Sequence, residues 1–186
     1  MNKLCYTFSK MDYFQEQKNL KNKAEEILKD LDLVNHLQKY GEITFVGSYA
    51  LDLMVKKDID IVVTSGINYR NFLELVNYLF PKNNIYSLNL QDFSKSIYPN
   101  RPYGIYCGIT YLVKPDIFWK IDVWFMTKDG NDANKLVDWV KSKLTDKNKE
   151  IILKIKNEML NTKYGKEISG MDIYKAVLEN KVIDLN

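Results

Sequence analysis

Soft metal ligands are almost missing from this chain. It has two cysteines, Cys5 and Cys107, far apart, and one histidine, His36. There is no Cys-x-x-Cys pair and no Cys/His cluster, which excludes a zinc site of the usual spacing and a disulfide framework. Cys107 lies in an apolar run and reads as a small buried hydrophobe. Arginine is scarce too, with only Arg70 and Arg101. The net charge of +3 is too small to argue for nucleic acid by itself. No apolar run is long enough to span a bilayer. The N-terminus lacks a basic stretch followed by a long apolar one, so no signal peptide is expected. A reducing cytoplasm and no membrane partner are the expectations that follow. A chain of 186 residues can bury a core without disulfide staples.

What is present is a pattern of strands and helices. Residues 12–40 carry Leu20, Ala24, Ile27, Leu28, Leu31, Leu33, Val34 and Leu37 near helical spacing, which predicts one long amphipathic helix ending at Gly41. His36 falls in its last turn, where the helix dipole favours a cation, and reads as structural. Strands are predicted at 43–47 and 58–64, a helix over 68–80 stopped by Pro81, and a weaker strand at 84–90. A loop is expected over 91–102. Residues 103–113 and 117–126 read as a hairpin around Lys114-Pro115-Asp116, with Asp116 a turn residue. Three helices follow, near 133–143, 146–161 and 171–180, the last two capped by Thr145 and Ser169. The expected architecture is α/β (α+β): a mixed sheet flanked by helices, with a core over 1–130 and a C-terminal helical region over 131–186 packed on it.

Three carboxylates stand out because they interrupt apolar strands. Asp58-Ile59-Asp60-Ile61-Val62-Val63 places Asp58 and Asp60 on one strand face and Ile59 and Ile61 on the other. Asp122 is flanked by Ile121 and Val123 in the same way. A buried carboxylate is costly unless it is paired or binds a metal. If the two strands are neighbours, all three meet on one face. An all-oxygen set favours Mg²⁺ or Mn²⁺, and two such ions can clamp the attacking and leaving oxygens of a phosphoryl displacement. Gly47-Ser48, at the end of the first strand, suits a phosphate. Gly47 lets the backbone approach, and Ser48 is expected to cap a short helix over 49–54. Lys57, Arg101 and Lys120 are accessory candidates for phosphate contacts or for pairing with a site carboxylate, and Tyr103 for stacking a base. Trp119 and Trp124 are expected to be packing residues on the face opposite Lys120 and Asp122.

With these residues in view, the sequence resembles the nucleotidyltransferase superfamily of DNA polymerase beta. The match is Phe45-Val46-Gly47-Ser48, then Asp58-Ile59-Asp60-Ile61, then Ile121-Asp122-Val123, over roughly residues 40–126. Within it, Gly47 to Met54 and Ser169 to Leu178 are similar to small bacterial nucleotidyltransferase-domain proteins whose acceptor is unknown. The resemblance implies Mg²⁺, a nucleoside triphosphate held by Gly47 and Ser48, and nucleotidyl transfer with pyrophosphate leaving. It does not name an acceptor. A small molecule or a protein is expected, with nucleic acid possible but less favoured. The rivals are a toxin–antitoxin-type nucleotidyltransferase acting on a partner protein or tRNA, and a catalytically idle nucleotide-binding regulatory module.

Overall fold

The computed structural model of the chain describes residues 12–95, 102–128, 133–160 and 162–185. Helix α1 (Tyr13–Asp30) starts at Asp12, whose carboxylate accepts the Gln15 N–H at 3.0 Å. Here the expectation of one long helix fails. The chain turns at Leu31 and Asp32, Asp32 takes a left-handed backbone (φ 47°), and α2 (Leu33–Gln38) follows. The reason is burial. In a continuous helix Leu31 and Leu33 would point to nearly opposite sides. The break lets Leu31, Leu33 and Leu37 all bury completely or nearly so, and Asp is one of the few residues that tolerates the left-handed region.

Strand β1 (Glu42–Val46) leads into the one-turn helix α3 (Gly47–Ala50), strand β2 (Asp58–Thr64) and helix α4 (Tyr69–Leu79). Strand β3 (Ile85–Asp92) runs two residues into the segment expected as loop. It is held there by ladder pairing with β4 (Gly104–Lys114). The expected hairpin from β4 to β5 (Ile117–Met126) forms, and Asp116 sits in its turn at φ 67°.

The sheet order is β1-β2-β5-β4-β3. Only β2 and β5 run parallel, and every other neighbouring pair is antiparallel. One face carries Ile59, Ile61, Val63, Ile105, Cys107, Ile109, Ile121, Val123 and Phe125, which form a single core with α1, α2 and α4. The other face carries the carboxylates.

The C-terminal helices are α5 (Ala133–Lys143), α6 (Asp146–Leu160) and α7 (Gly170–Leu178), with a 3-10 turn at Lys163–Lys166 between the last two. Thr145 Oγ1 accepts the Asn148 N–H, and Ser169 and Asp172 form a reciprocal capping box. A second core joins Leu51 and Leu53 to Val140, Ile152, Ile155, Met159, Tyr174 and Val177. The loop after α3 is therefore the seat of the helical layer.

Two substitutions separate the contributions. Ile61→Ala, in a fully buried position of β2, should cost about 2–5 kcal/mol in chemical denaturation. Ser169→Ala should cost about 1 kcal/mol, the scale of a lost N-cap.

Candidate active site

Register decides the site. Asp60 on β2 pairs with Asp122 on β5, and Asp58 pairs with Lys120. Because paired residues in a ladder share a face, Asp58, Asp60 and Asp122 converge. Each offers one carboxylate oxygen, and these oxygens lie within 4.8 Å of one another. Asp122 is only 8% exposed. Its Oδ1 accepts the Tyr106 hydroxyl at 2.7 Å, and its Oδ2 accepts from the Lys120 ammonium. Asp58 Oδ1 is buried and accepts no hydrogen bond. A buried oxygen left open beside two other carboxylates suits a cation. The donor set, all carboxylate oxygen, fits Mg²⁺ or Mn²⁺.

The electrostatics agree. Burial raises the Asp58 carboxyl, with the Asp122 charge adding and Lys120 opposing. Asp60 is pushed from 3.8 to about 7 by burial and by the charges of Asp58 and Asp122. Without a cation the cluster therefore holds a proton in place of positive charge. Burial alone would lower the Lys120 ammonium, but its bond to Asp122 raises it on balance.

Gly47 is required twice. Its φ of 63° is left-handed, and a Cβ there would lie 2.3 Å from Asp60 Oδ2. The turn at Gly47 also corrects the expectation for Ser48. Helical bonding begins at Gly47, with Val46 at the N-cap position and no side-chain cap. Ser48 thus lies inside the turn, its hydroxyl unused for capping.

Ser48 instead lines a cavity of about 380 Å³ with Gly47, Lys56, Asp58, Asp60 and Lys156. The far wall is apolar, built from Leu136, Leu160, Ile168 and Met171. Lys57, an accessory candidate, is not among these residues. It faces the other side of the sheet, near Glu16 and Trp119, and Lys56 lines the cavity in its place. Arg101 lies outside the described residues.

Four residues went unmarked in the sequence. Lys156 is 9% exposed, and its ammonium donates to the Leu53 carbonyl and to the Tyr174 hydroxyl. Burial lowers it from 10.5 to about 7. The signal was there: Lys156 lies on the stripe of Ile152, Ile155 and Met159, where a lysine is out of place. Tyr106 needed the β4–β5 register, which sets Gly108 beside Asp122. Lys56 needed the course of the bend before β2, and Tyr174 needed the packing of α7 on α6. Trp119 is buried in the core as expected. Trp124 is not: by strand alternation it shares the face of Lys120 and Asp122.

No protein-family model and no curated protein matches the sequence. Solved structures do match. Cid1, described by its RNA terminal uridylyl transferase activity, aligns over 89% of this chain and 51% of its own, at 16% identity and a TM-score of 0.58. The STING-associated CdnE c-di-GMP synthase from Capnocytophaga granulosa aligns over 94% of this chain and 66% of its own, at 18% identity and a TM-score of 0.56. Cid1 in complex with the UTP analogue UMPNPP gives 16% identity, coverages of 91% and 49%, and a TM-score of 0.53. The chain has the nucleotidyltransferase fold. It spans about half the length of Cid1 and 66% of the CdnE synthase.

The raised Asp60 carboxyl has a consequence for stability. Between pH 3.8 and about 7 the folded chain keeps a proton that the unfolded chain has released. Folding then binds protons, so this contribution falls as pH rises through that interval. In chelator, the melting temperature of wild type relative to Asp60→Asn should drop from pH 4 to pH 7. Above pH 7, Mn²⁺ should raise the wild-type value and leave the variant nearly unmoved. A flat difference with no response to Mn²⁺ would remove the cation from the site.

Proposed function

We propose that the protein is a metal-dependent nucleotidyltransferase that moves a nucleotidyl group from a nucleoside triphosphate to an acceptor hydroxyl, releasing pyrophosphate. The observation that carries this reading is the convergence of Asp58, Asp60 and Asp122, with an open buried oxygen on Asp58. The site also opens onto a cavity that holds both a glycine turn and a buried lysine. Two Mg²⁺ or Mn²⁺ ions held by these carboxylates would supply the charge that activates the hydroxyl and stabilises the leaving group.

The chain's own residues divide the remaining work. Gly47 and Ser48 receive the triphosphate, the first with backbone that carries no side chain and the second with a hydroxyl that caps no helix. Lys56 and Lys156 bring positive charge to the same cavity. Tyr106 and Lys120 fix the Asp122 carboxylate by one bond to each oxygen. The apolar wall of Leu136, Leu160, Ile168 and Met171 takes the base by contact and excludes water. Cid1 is described by an RNA terminal uridylyl transferase activity and by a complex with a UTP analogue, and CdnE as a c-di-GMP synthase; similarity to them supports the triphosphate half of the reading. A catalytically idle module would leave the three carboxylates without use, so the active reading is favoured.

Pyrophosphate release from each ribonucleoside triphosphate, with Mg²⁺ or Mn²⁺ and a cell lysate as acceptor, tests this directly. Asp58→Asn and Asp60→Asn should each lower release at least about a hundredfold, the scale of losing a charge-stabilising group. Ser48→Ala should weaken triphosphate binding by about 1 kcal/mol, the scale of one hydrogen bond. Tight binding with no release in wild type would favour a nucleotide sensor.

A further inference from the structure

Strand β3 is an edge of the sheet, and nothing in its sequence guards it. It ends the order β1-β2-β5-β4-β3, so among the described residues only β4 pairs with it. Its eight residues include no lysine, arginine or proline, and the one charge, Asp92, comes last. Edge strands kept from pairing carry such residues or are bulged or very short. The bulge in β3 lies at its start, between Ile85 and Ser87, and leaves the rest regular. The other edge, β1, has five residues and α5 against it.

The backbone of β3 is oriented for a further strand. The Phe93 N–H bonds the Gly104 carbonyl at 2.9 Å. In an antiparallel ladder the residues bonded to the partner alternate with those that are not. Gln91, Asn89 and Ser87 are therefore engaged by β4, and Leu88, Leu90 and Asp92 turn N–H and C=O outward. The side chains sort in the same way. Leu88 and Leu90 pair with Ile109 and Cys107 on the core face, and Ser87, Asn89 and Gln91 lie on the carboxylate face.

Helix α4 widens this edge into an apolar strip. One flank of α4 is occupied: the Tyr78 hydroxyl donates to the Leu31 carbonyl at 2.8 Å, and its ring stacks on His36. The far flank carries Tyr69, Leu73 and, at the C-cap, Phe80, which fall within about 40° of one another around the helix. They are 51%, 55% and 72% exposed. The Tyr69 hydroxyl donates to Asp92 at 2.9 Å, so this flank lies along β3. Leu90, 43% exposed, continues the strip onto the strand. An apolar strip beside an unpaired strand marks an interface.

We propose that this edge binds a second copy of the chain, β3 against β3 and antiparallel, about a two-fold axis at Asn89. The edge is complementary to itself in that register. Leu88 of each copy meets Leu90 of the other, and these are the residues whose backbone groups point outward, so each pair exchanges both bonds. Gln91 meets Ser87, and no charge meets a charge. The two core faces fall on the same side, which brings the exposed flanks of the two α4 helices together beside the axis. A head-to-tail contact would need the short, covered β1 edge, so the assembly closes as a dimer. The two sheets become one. Asn89 pairs with Gly108 and Gly108 with Asp122, so both carboxylate clusters open on one face, about 24 Å apart at five strand spacings. The pairing is independent of the chemistry proposed above.

The experiment uses the full chain. Sedimentation velocity over a range of concentrations should show a wild-type dimer. Leu73→Lys on α4 and Leu90→Lys on β3, both at exposed positions, should each raise the dimer dissociation constant at least about tenfold, the scale of a hot-spot side chain, with the circular dichroism spectrum unchanged. Register is read by oxidation in a Cys5→Ser background, where the remaining native cysteine, Cys107, is buried. Asn89→Cys should form a disulfide between copies, since a self-paired strand position meets its geometry. Gln91→Cys should not, because its two copies lie about 13 Å out of step. A wild-type chain that is monomeric at every concentration would overturn the proposal and leave the edge to an extended segment of a different protein. A dimer that survives both lysine substitutions, or that cross-links through Gln91→Cys and not Asn89→Cys, would put the contact elsewhere and overturn it as well.

Discussion

Asp60 and Asp122 face each other across the parallel β2–β5 pair, and Asp58 lies one pleat away on the same face. Three carboxylates this close repel, and burial leaves them little water to screen the repulsion. Much of the surrounding structure answers that strain. Tyr106 and Lys120 each hold one oxygen of Asp122. Gly47 keeps its backbone clear of Asp60. Asp60 itself keeps a proton to about pH 7. A protein selected for stability alone would replace such residues with apolar ones. Their presence in the middle of two apolar strands is intelligible as a seat for cations.

The fold holds this strain by dividing its cores. The apolar face of the sheet packs on α1, α2 and α4 and carries most of the burial. The carboxylate face is left to the site, and α5, α6 and α7 pack beside it through a second core that includes Leu51 and Leu53. Lys156 links the two layers. Its ammonium is bonded to the Leu53 carbonyl and the Tyr174 hydroxyl and feels the charges of Asp58 and Asp60. The helical layer thereby sets a lysine, held to about 7 by burial, beside a site whose negative charge comes from the sheet.

Much of the site was legible in the sequence because strand alternation is strict. A carboxylate at every second position of an apolar strand has one meaning for direction, and Asp58, Asp60 and Asp122 could be grouped before any register was known. The parallel β2–β5 pairing was not legible, since it depends on the whole sheet order. The same alternation, applied with care, puts Trp124 with Asp122. Helix α1 was legible in its stripe but not in its end, because the turn at Asp32 is imposed by the burial of Leu31 and Leu33 rather than by a glycine or proline. Ser48 was misplaced for a local reason: a left-handed Gly47 starts the turn earlier than a serine cap would. Lys156 was visible as an anomaly on an apolar stripe, but its meaning required the packing of α6 against the loop after α3.

The most direct test of the central claim is a crystal structure with Mn²⁺ and a non-hydrolysable nucleoside triphosphate, the metal located by anomalous scattering. The account predicts manganese bound by Asp58, Asp60 and Asp122, with the triphosphate against Gly47, Ser48 and Lys156. Manganese elsewhere, or a triphosphate bound away from this cavity, would contradict it.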